Sequence, residues 1–399
     1  MEKSFRTILL VLPLFTLIVG CKNTNKYEMG TYGYDKEFLD SRGIETVELC
    51  NSDGSARILA VPAWQGRVMT STSSGMQGPS YGWINRKFIA EGKLSAQFNN
   101  FGGEERFWMG PEGGLNSWFF APGAPQDFPH WKVPAPFDTD VFELVEKSSV
   151  RAVFSKDVHL VNARGVGFEV GMKREVTILD KSEIESMTGP LEGDLYVVAY
   201  TSSNSITNRG PFPWTEQTGL PSVWMLGMFN PSETTTVFIP YNKDGEGIIV
   251  KDDYFGKIPP DRLRIEDGFI YFMIDGKFRS KLGLPAGRTL GLVGAYDSEA
   301  GLLTILKTDV PNPGDRFVNS QWGDQEDAFG GDALNSYNDG PTEDGTIMGP
   351  FFEIETSSPC ATLSPGQTLT HTQTTIHVHG PKNALREVAK RVFGPGLTI

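Results

Sequence analysis

The segment 99–114 (NNFGGEERFWMGPEGG) contains the residue types that a sugar-binding site needs. In a β-strand, alternate side chains point to opposite faces, so Glu104, Arg106 and Trp108 share one face while Phe107 faces the core. An acid and a guanidinium can bind sugar hydroxyls, and an indole can cover the apolar side of a pyranose. The alternative is an ion pair with a half-buried tryptophan on a solvated sheet face. The paired glycines on both sides favour a site, because they let another backbone approach closely.

The segment 351–355 (FFEIE) places two carboxylates on one face of a predicted strand. Glu353 and Glu355 would lie about 7 Å apart, since a strand rises about 3.4 Å per residue. Like charges in a poorly solvated place raise each other's pKa, which makes a carboxylate a usable base or acid at neutral pH. On an exposed edge the same pair would only add solubility.

Two further polar segments could line a ligand site. The stretch 335–345 (NSYNDGPTEDG) includes Tyr337 and Asn338, which could form polar walls, belong to a calcium loop or lie in a simple turn. Its spacing does not match the regular calcium-binding pattern. We therefore predict no metal site, and no cofactor is implied.

The loop 208–224 (NRGPFPWTEQTGLPSVW) carries Trp214, Glu216 and Gln217 between prolines that stiffen it. Rigid loops with aromatic and acidic residues often form the walls of ligand sites. A structural crossover with core tryptophans is the equally weighted alternative.

Among the five histidines, His159 is a candidate general acid. It shares a predicted strand face with Asp157, although such a residue is more often simply hydrogen-bonded. His377 and His379 resemble two zinc ligands, but the sequence shows no third ligand nearby. No G-x-S-x-G motif, phosphate loop or nucleotide fingerprint occurs, so classical serine hydrolase, kinase and dehydrogenase functions have no support.

Short alternating strands separated by turn residues account for most of the chain, which has 45 glycines and 26 prolines. Segments 45–50 and 55–61 flank an Asn-Ser-Asp-Gly turn, and 269–274 and 277–282 flank an Asp-Gly turn, so each pair predicts a hairpin. Two helices are expected, over 298–307 and 383–393, the second with a capping asparagine and a Gly-Pro stop.

The expected fold class is therefore all-β, with two large, packed antiparallel sheets and few short helices. The net charge of −13 at pH 7 does not suit nucleic-acid binding, which needs a basic surface. It also discourages direct adsorption on anionic lipid. Cys50 and Cys360 could pair in an oxidising compartment or remain as buried thiols.

The N-terminus has the layout of a bacterial lipoprotein export signal. Lys3 and Arg6 precede the apolar run Ile8–Gly20, and Cys21 follows it at once. This run is shorter than the ~20 residues that a spanning helix needs. An ordinary signal peptide or an uncleaved anchor is the alternative.

This layout predicts a signal peptide over 1–20, a lipidated tether over 21–33 and a single domain over 34–399. The protein would then be lipid-anchored in the bacterial cell envelope, facing the periplasm or on the outer-membrane surface. The lipid would be its only attachment to the membrane.

Four stretches, AVPAWQGRVMTS (60–71), FNNFGGEERFWMGPEGG (98–114), LVNARGVGFEVGMKREVTIL (160–179) and FFEIETSSPCATLSPGQTLTHTQTTIH (351–377), together resemble the galactose-mutarotase-like superfamily. More narrowly, the chain resembles a family of Bacteroidota lipoproteins within it. The resemblance covers roughly residues 40–380. It implies a β-supersandwich with a sugar-binding groove across one sheet.

In true mutarotases a histidine acts as acid and a glutamate as base to open and reclose the pyranose ring. Glu353 matches the family's late-strand glutamate, with Glu355 as the alternative register, and Arg106 matches an arginine that holds ring hydroxyls. The family's histidine has no counterpart here, and Glu216 and Gln217 stand roughly where it would be expected.

We therefore expect an envelope lipoprotein that binds a carbohydrate and acts on it by acid–base chemistry of an epimerase, hydrolase or lyase type. Glu353 would be the base, Glu216 or His159 the acid, and Arg106 with Trp108 would hold the ring. The alternatives are a non-catalytic glycan-binding lipoprotein of a sugar-uptake system and a purely structural envelope protein.

Overall fold

The computed structural model describes residues 26–342 and 345–399. The predicted signal peptide (1–20), the predicted lipidation site Cys21 and residues 22–25 of the expected tether lie outside the described residues. Within the described part of the chain, no helix is both long enough and apolar enough to cross a membrane.

Eighteen strands in the described residues form three sheets, and all neighbouring strands are antiparallel. The strands are β1 Val47–Cys50, β2 Arg57–Val61, β3 Arg67–Thr72, β4 Arg106–Gly110, β5 Glu143–Lys147, β6 Arg151–Val161, β7 Gly167–Ile178, β8 Tyr196–Asn208, β9 Ser222–Phe229, β10 Thr235–Pro240, β11 Leu263–Glu266, β12 Phe269–Met273, β13 Ser280–Pro285, β14 Leu292–Asp297, β15 Leu302–Thr308, β16 Asp332–Asn338, β17 Phe352–Ser357 and β18 Thr368–His379. Their orders are β1-β2-β3, β13-β16-β17-β9-β4 and β11-β12-β10-β14-β15-β18-β8-β7-β6-β5. The expected all-β class with large antiparallel sheets is confirmed.

The helices of the described chain are short: α1 Tyr32–Ser41, α2 Arg86–Glu91, α3 Ala135–Asp138, α4 Lys181–Thr188 and α5 Lys382–Phe393, with single 3-10 turns at Pro62–Trp64 and Gly75–Gln77. Helix α5 confirms the helix expected over 383–393, but the expected asparagine cap is wrong, because Pro381 takes the N-cap position and Asn383 lies inside the helix. The helix expected over 298–307 is wrong, because Gly301 takes a positive φ in the turn between β14 and β15.

The expected β1–β2 hairpin is confirmed, with Cys50 opposite Arg57. The hairpin expected around Asp275-Gly276 is wrong. Strand β12 belongs to the ten-stranded sheet and β13 to the five-stranded sheet, so this turn carries the chain from one sheet to the other.

The two smaller sheets form one layer that packs against the ten-stranded sheet. A backbone bridge between Val68 of β3 and Glu105 links them. The main hydrophobic core lies between the layers and includes Ile58, Phe154 and Val223. Helices α4 and α5 cover the opposite side of the ten-stranded sheet. The fold is thus a sandwich with helices on one side.

We call the side of the five-stranded sheet that faces the ten-stranded sheet its inner face, and the opposite side its outer face. In β17 the apolar Ile354 packs in the core with Val237 and Ile270, which fixes the alternate residues Glu353 and Glu355 on the outer face. The local hydrophobic pattern therefore decides where the carboxylates point.

Candidate active site

Strand register brings the predicted site residues of three distant segments onto the outer face. Strand β17 lies between β9 and β16. Glu353 is opposite Tyr337 of β16, while Glu355 and Arg106 are both opposite Leu226 of β9. Side chains at such positions share a face and lie next to each other.

Arg106 and Glu353 form a buried ion pair through Nη2 and Oε1. The Arg106 side chain is 2% exposed, and its guanidinium carbon lies 4.8 Å from the centre of the Trp108 ring. Burial raises the pKa of Glu353 to about 7, although the Arg106 charge opposes this rise. Glu353 can therefore exchange a proton near neutral pH.

Lys281 of β13 joins the second carboxylate to this pair. Its Nζ lies 2.8 Å from Oε2 of Glu355, which also accepts a hydrogen bond from Nε1 of Trp224 at 3.0 Å. Burial disfavours the Lys281 charge, but the negative charges of Glu355, Glu112 and Glu353 raise its pKa overall. The Lys281 ammonium group thus pairs with Glu355 and lies within electrostatic range of Glu112 and Glu353.

The third carboxylate, Glu112, follows β4 in a loop fixed by close backbone packing. A Cβ added at Gly113 would lie 2.2 Å from the backbone oxygen of Gln321, so only glycine fits there. Burial raises the pKa of Glu112 to about 7, with Lys281 opposing and Glu355 adding to the rise. We call Arg106, Glu112, Lys281, Glu353 and Glu355 the charged cluster.

The sequence motifs did not identify Glu112 and Lys281, although each had a local signal. Glu112 lies within the segment 110–114 (GPEGG), where the double glycine indicates a close approach of another backbone. Lys281 alternates with the buried Leu282 in β13, which is the pattern of an outward-facing strand residue. Neither signal identifies the partners, because these come from other strands.

Trp108 lies on the outer face as expected but is not an open platform. It is 3% exposed, with its ring against Phe98, Phe119 and Trp224. Its Nε1 donates to the backbone oxygen of Phe137 at 2.8 Å. The indole ring therefore packs against the Arg106 guanidinium and helps to fix its position.

The expectation that Glu104 shares the face of Arg106 is wrong. Its Oε1 accepts hydrogen bonds from Ser71 Oγ and binds His377 Nε2, each at 2.8 Å, in the interior beside the ten-stranded sheet. Strand β4 begins only at Arg106, and Gly102 and Gly103 take positive φ values just before it. Strand alternation therefore does not extend back to Glu104.

The two expected acids lie away from the charged cluster. His159 is 58% exposed and binds Glu169 on the side of β6 opposite its core-facing residues, so it faces away from the five-stranded sheet. Glu216 is 56% exposed and lies 2.6 Å from Arg316 Nη1. Neither is in position to act with Glu353.

The remaining predicted residues divide between the two faces of the sheet and the adjoining loop. Tyr337 and Glu355 lie on the outer face, whereas Asn338 points inward and donates to Asp275 Oδ1 and the backbone oxygen of Phe278. Trp214 is buried against Phe168. Gln217 is exposed in the loop before β9. Of this group, Glu355 belongs to the charged cluster and Tyr337 lies next to it.

None of the five strands of this sheet contains a histidine. Within residues 26–342 and 345–399, no group of three or more His, Cys, Asp or Glu is arranged to hold a metal ion. Cys50 and Cys360 are free thiols. The charged side chains that we describe on the outer face are carboxylates, arginines and a lysine.

Comparisons with known proteins give one family and a set of distant folds. Residues 30–398 match the family described as "Family of unknown function (DUF6786)". No curated protein is similar to the chain in sequence.

Among solved structures, a candidate aldose 1-epimerase from Escherichia coli K12 is 13% identical, with a TM-score of 0.49, over 84% of this chain and 99% of its own. A galactose mutarotase-like protein from Lactobacillus casei ATCC 334 is 13% identical, with a TM-score of 0.46, over the same shares of the two chains. A galactose mutarotase related enzyme from Lactobacillus acidophilus is 9% identical, with a TM-score of 0.45, over 84% and 97%.

Proposed function

The chain belongs to the DUF6786 family of unknown function, and we propose from the charged cluster that it catalyses an acid–base reaction on a carbohydrate. Glu353 is the base and Glu112 the acid. The observation that carries this proposal is that two buried carboxylates, Glu353 and Glu112, converge on one buried lysine, and burial raises the pKa of each carboxylate to about 7. Groups with such pKa values accept and donate protons efficiently at neutral pH.

The reaction that fits these groups is the opening and reclosing of a pyranose ring. Glu353 takes the proton of the anomeric hydroxyl while Glu112 donates its proton to the ring oxygen. The bond between the anomeric carbon and the ring oxygen breaks, and a carbonyl forms at the anomeric carbon. Reversal of both transfers, after rotation of the carbonyl, gives the other anomer and restores both carboxyl groups.

Arg106 and Lys281 hold the two glutamates on the outer face, Glu353 and Glu355, in defined positions. A guanidinium fixed in one geometry loses little entropy when it also binds a hydroxyl. Glu355 accepts hydrogen bonds from Trp224 and Lys281, so it fixes the position of the lysine on the outer face. The cluster is therefore organised before the sugar binds.

A non-catalytic glycan-binding role is the second candidate. It is favoured by the ion pair of Arg106 with Glu353, which occupies the Oε1 of the proposed base in the free protein. It is also favoured by the absence of a histidine from the five strands of the sheet. In this case the same residues hold sugar hydroxyls without transferring protons.

Exchange between anomers distinguishes the two candidates. We expect two-dimensional exchange NMR to show anomer interconversion above the buffer rate for at least one sugar in a panel of glucose, galactose, mannose, glucuronate and galacturonate. The rate should peak near pH 7 and fall about tenfold per pH unit on either side, because the base must be ionised and the acid protonated. Binding without exchange would support the second candidate. If the protein neither binds these sugars nor exchanges their anomers, the result would favour a structural envelope protein.

We further propose that the protein works in the bacterial cell envelope, anchored by lipid at Cys21. The support is the short apolar run that ends directly before this cysteine. The net charge of −13 disfavours direct adsorption on anionic lipid, so a covalent lipid would provide the attachment. Cys21→Ser should move the protein from the membrane fraction to the soluble fraction, whereas the control Cys50→Ser should leave it in the membrane fraction. An unchanged distribution of the Cys21 variant would contradict the anchor.

A further inference from the structure

We propose that the carbohydrate bound at the charged cluster carries an anionic group, such as a carboxylate or a phosphate ester, which Arg279 binds. This inference rests on the proposed function. Arg279 directly precedes β13 and lies two residues from Lys281. In extended chain that spacing puts both side chains on the outer face, about 7 Å apart.

The Arg279 side chain is held in place by two aromatic residues, and no carboxylate of the described chain pairs with its charge. Its guanidinium carbon lies 3.8 Å from the centre of the Phe255 ring, and its Nε donates to the Tyr337 hydroxyl at 3.3 Å. In the part of the chain that the structure describes, no carboxylate lies within ion-pair distance of it. Stacking on an aromatic ring fixes a guanidinium while leaving its edge free for a bidentate anion.

The neighbouring carboxylate, Asp339, is committed elsewhere. Its Oδ1 accepts from the Tyr337 hydroxyl at 2.7 Å, and its Oδ2 accepts from the backbone N–H of Gly349 at 2.9 Å. The Arg279 charge acts on Asp339 only at longer range, against the larger effect of burial, which raises its pKa. Asp339 thus positions Tyr337 and leaves Arg279 available.

The two cations of the charged cluster are already matched by carboxylates. Arg106 pairs with Glu353, and Lys281 pairs with Glu355. With Glu112 added, the charged cluster has three carboxyl groups and two cations, so it offers no surplus positive charge to a ligand. Arg279, in contrast, has no carboxylate partner in the described chain, and it is partly exposed beside Phe255, which is 45% exposed.

The distance between Arg279 and the proposed base suits one sugar ring. Strand β16 lies between β13 and β17, and Tyr337 is opposite both Lys281 and Glu353. Two strand spacings of about 4.8 Å put the backbones of β13 and β17 roughly 10 Å apart. An arginine side chain and a pyranose together span this gap, with the anomeric carbon at Glu353 and the far substituent at Arg279.

Matched pairs of sugars test the inference. We expect glucuronate and galacturonate to bind about 10- to 100-fold more tightly than glucose and galactose, as a charge-assisted bidentate contact allows. Glucose 6-phosphate, measured in parallel by calorimetry, shows whether a phosphate ester is accepted in place of the carboxylate. Arg279→Met should reduce the acid-to-neutral affinity ratio to about one, and Arg279→Lys should retain only part of it.

Arg264→Met is the matched control, because Arg264 also stacks on an aromatic ring, 4.4 Å from the centre of Tyr271, but lies at the edge of the ten-stranded sheet. It should keep the wild-type ratio. Equal affinity of the wild-type protein for acidic and neutral sugars would overturn the inference while leaving the proposed function standing. An acid preference that survives Arg279→Met would also overturn it. Failure of every sugar to bind or exchange would instead refute the proposed function.

Discussion

Replacing Glu353 with glutamine should lower the rate of anomer exchange by about 10²- to 10⁴-fold, the contribution expected of a general base. Glutamine keeps the shape of the side chain and can still accept a hydrogen bond from Arg106, but it cannot take a proton. Exchange NMR of the variant, on the sugar that the wild-type protein converts fastest, measures the effect. Sugar affinity should fall much less than the rate, because most binding contacts remain.

Glu216→Gln is the control for this prediction. It makes the same chemical change at an exposed loop residue away from the charged cluster. The ion-pair partner of Glu216 in the described chain is Arg316. We expect a wild-type rate from it. Thermal unfolding of both variants should confirm that they fold. A folded Glu353 variant with the wild-type exchange rate would show that Glu353 is not the base.

Glu105→Ala should lower the free energy of unfolding by about 3–5 kcal/mol, the typical cost of removing one partner of a buried ion pair. Glu105 and Arg174 pair between the sheets, and both side chains are fully buried. Nε and Nη1 of Arg174 have no hydrogen-bond partner, so Glu105 provides the interaction that compensates its charge. Urea unfolding, followed by tryptophan fluorescence, measures the change.

Glu175→Ala is the matched control, because Glu175 neighbours Arg174 on β7 and pairs with Arg151 at the surface, where both side chains are about one-third exposed. This pair should contribute at most about 1 kcal/mol. The double variant Glu105→Leu with Arg174→Met removes both charges and should recover much of the loss. Equal losses for Glu105→Ala and Glu175→Ala would contradict the account of the interior pair.

Local pattern was sufficient to predict much of this fold. Apolar and polar residues alternate through 168–179 and 369–379, the segments that form most of β7 and β18. The turn after Cys50 matches the first hairpin. The same rule put Glu353 and Glu355 on one face, since the apolar Ile354 between them had to enter the core. These features depend only on neighbours in sequence.

Local sequence pattern could not predict the features that depend on the order of strands in the sheets. Asp275-Gly276 has the composition of a hairpin turn, yet the strands on either side belong to different sheets. Lys281 meets Glu355 and Glu112 only because β13, β17 and the loop after β4 come together in the folded chain. The acids expected at 159 and 216 were chosen by residue type, and the position of a general acid is set by tertiary contacts. The Glu104 prediction was wrong because alternation was extended past the start of β4.

The most direct test of the central claim is a crystal structure of the Glu353→Gln variant soaked with galacturonate, in which slow turnover should trap the sugar. We predict a pyranose on the outer face of the five-stranded sheet, with its anomeric hydroxyl within hydrogen-bond distance of residue 353 and its ring beside Arg106 and Lys281. A sugar bound at any other part of the surface, with the charged cluster untouched, would contradict the account.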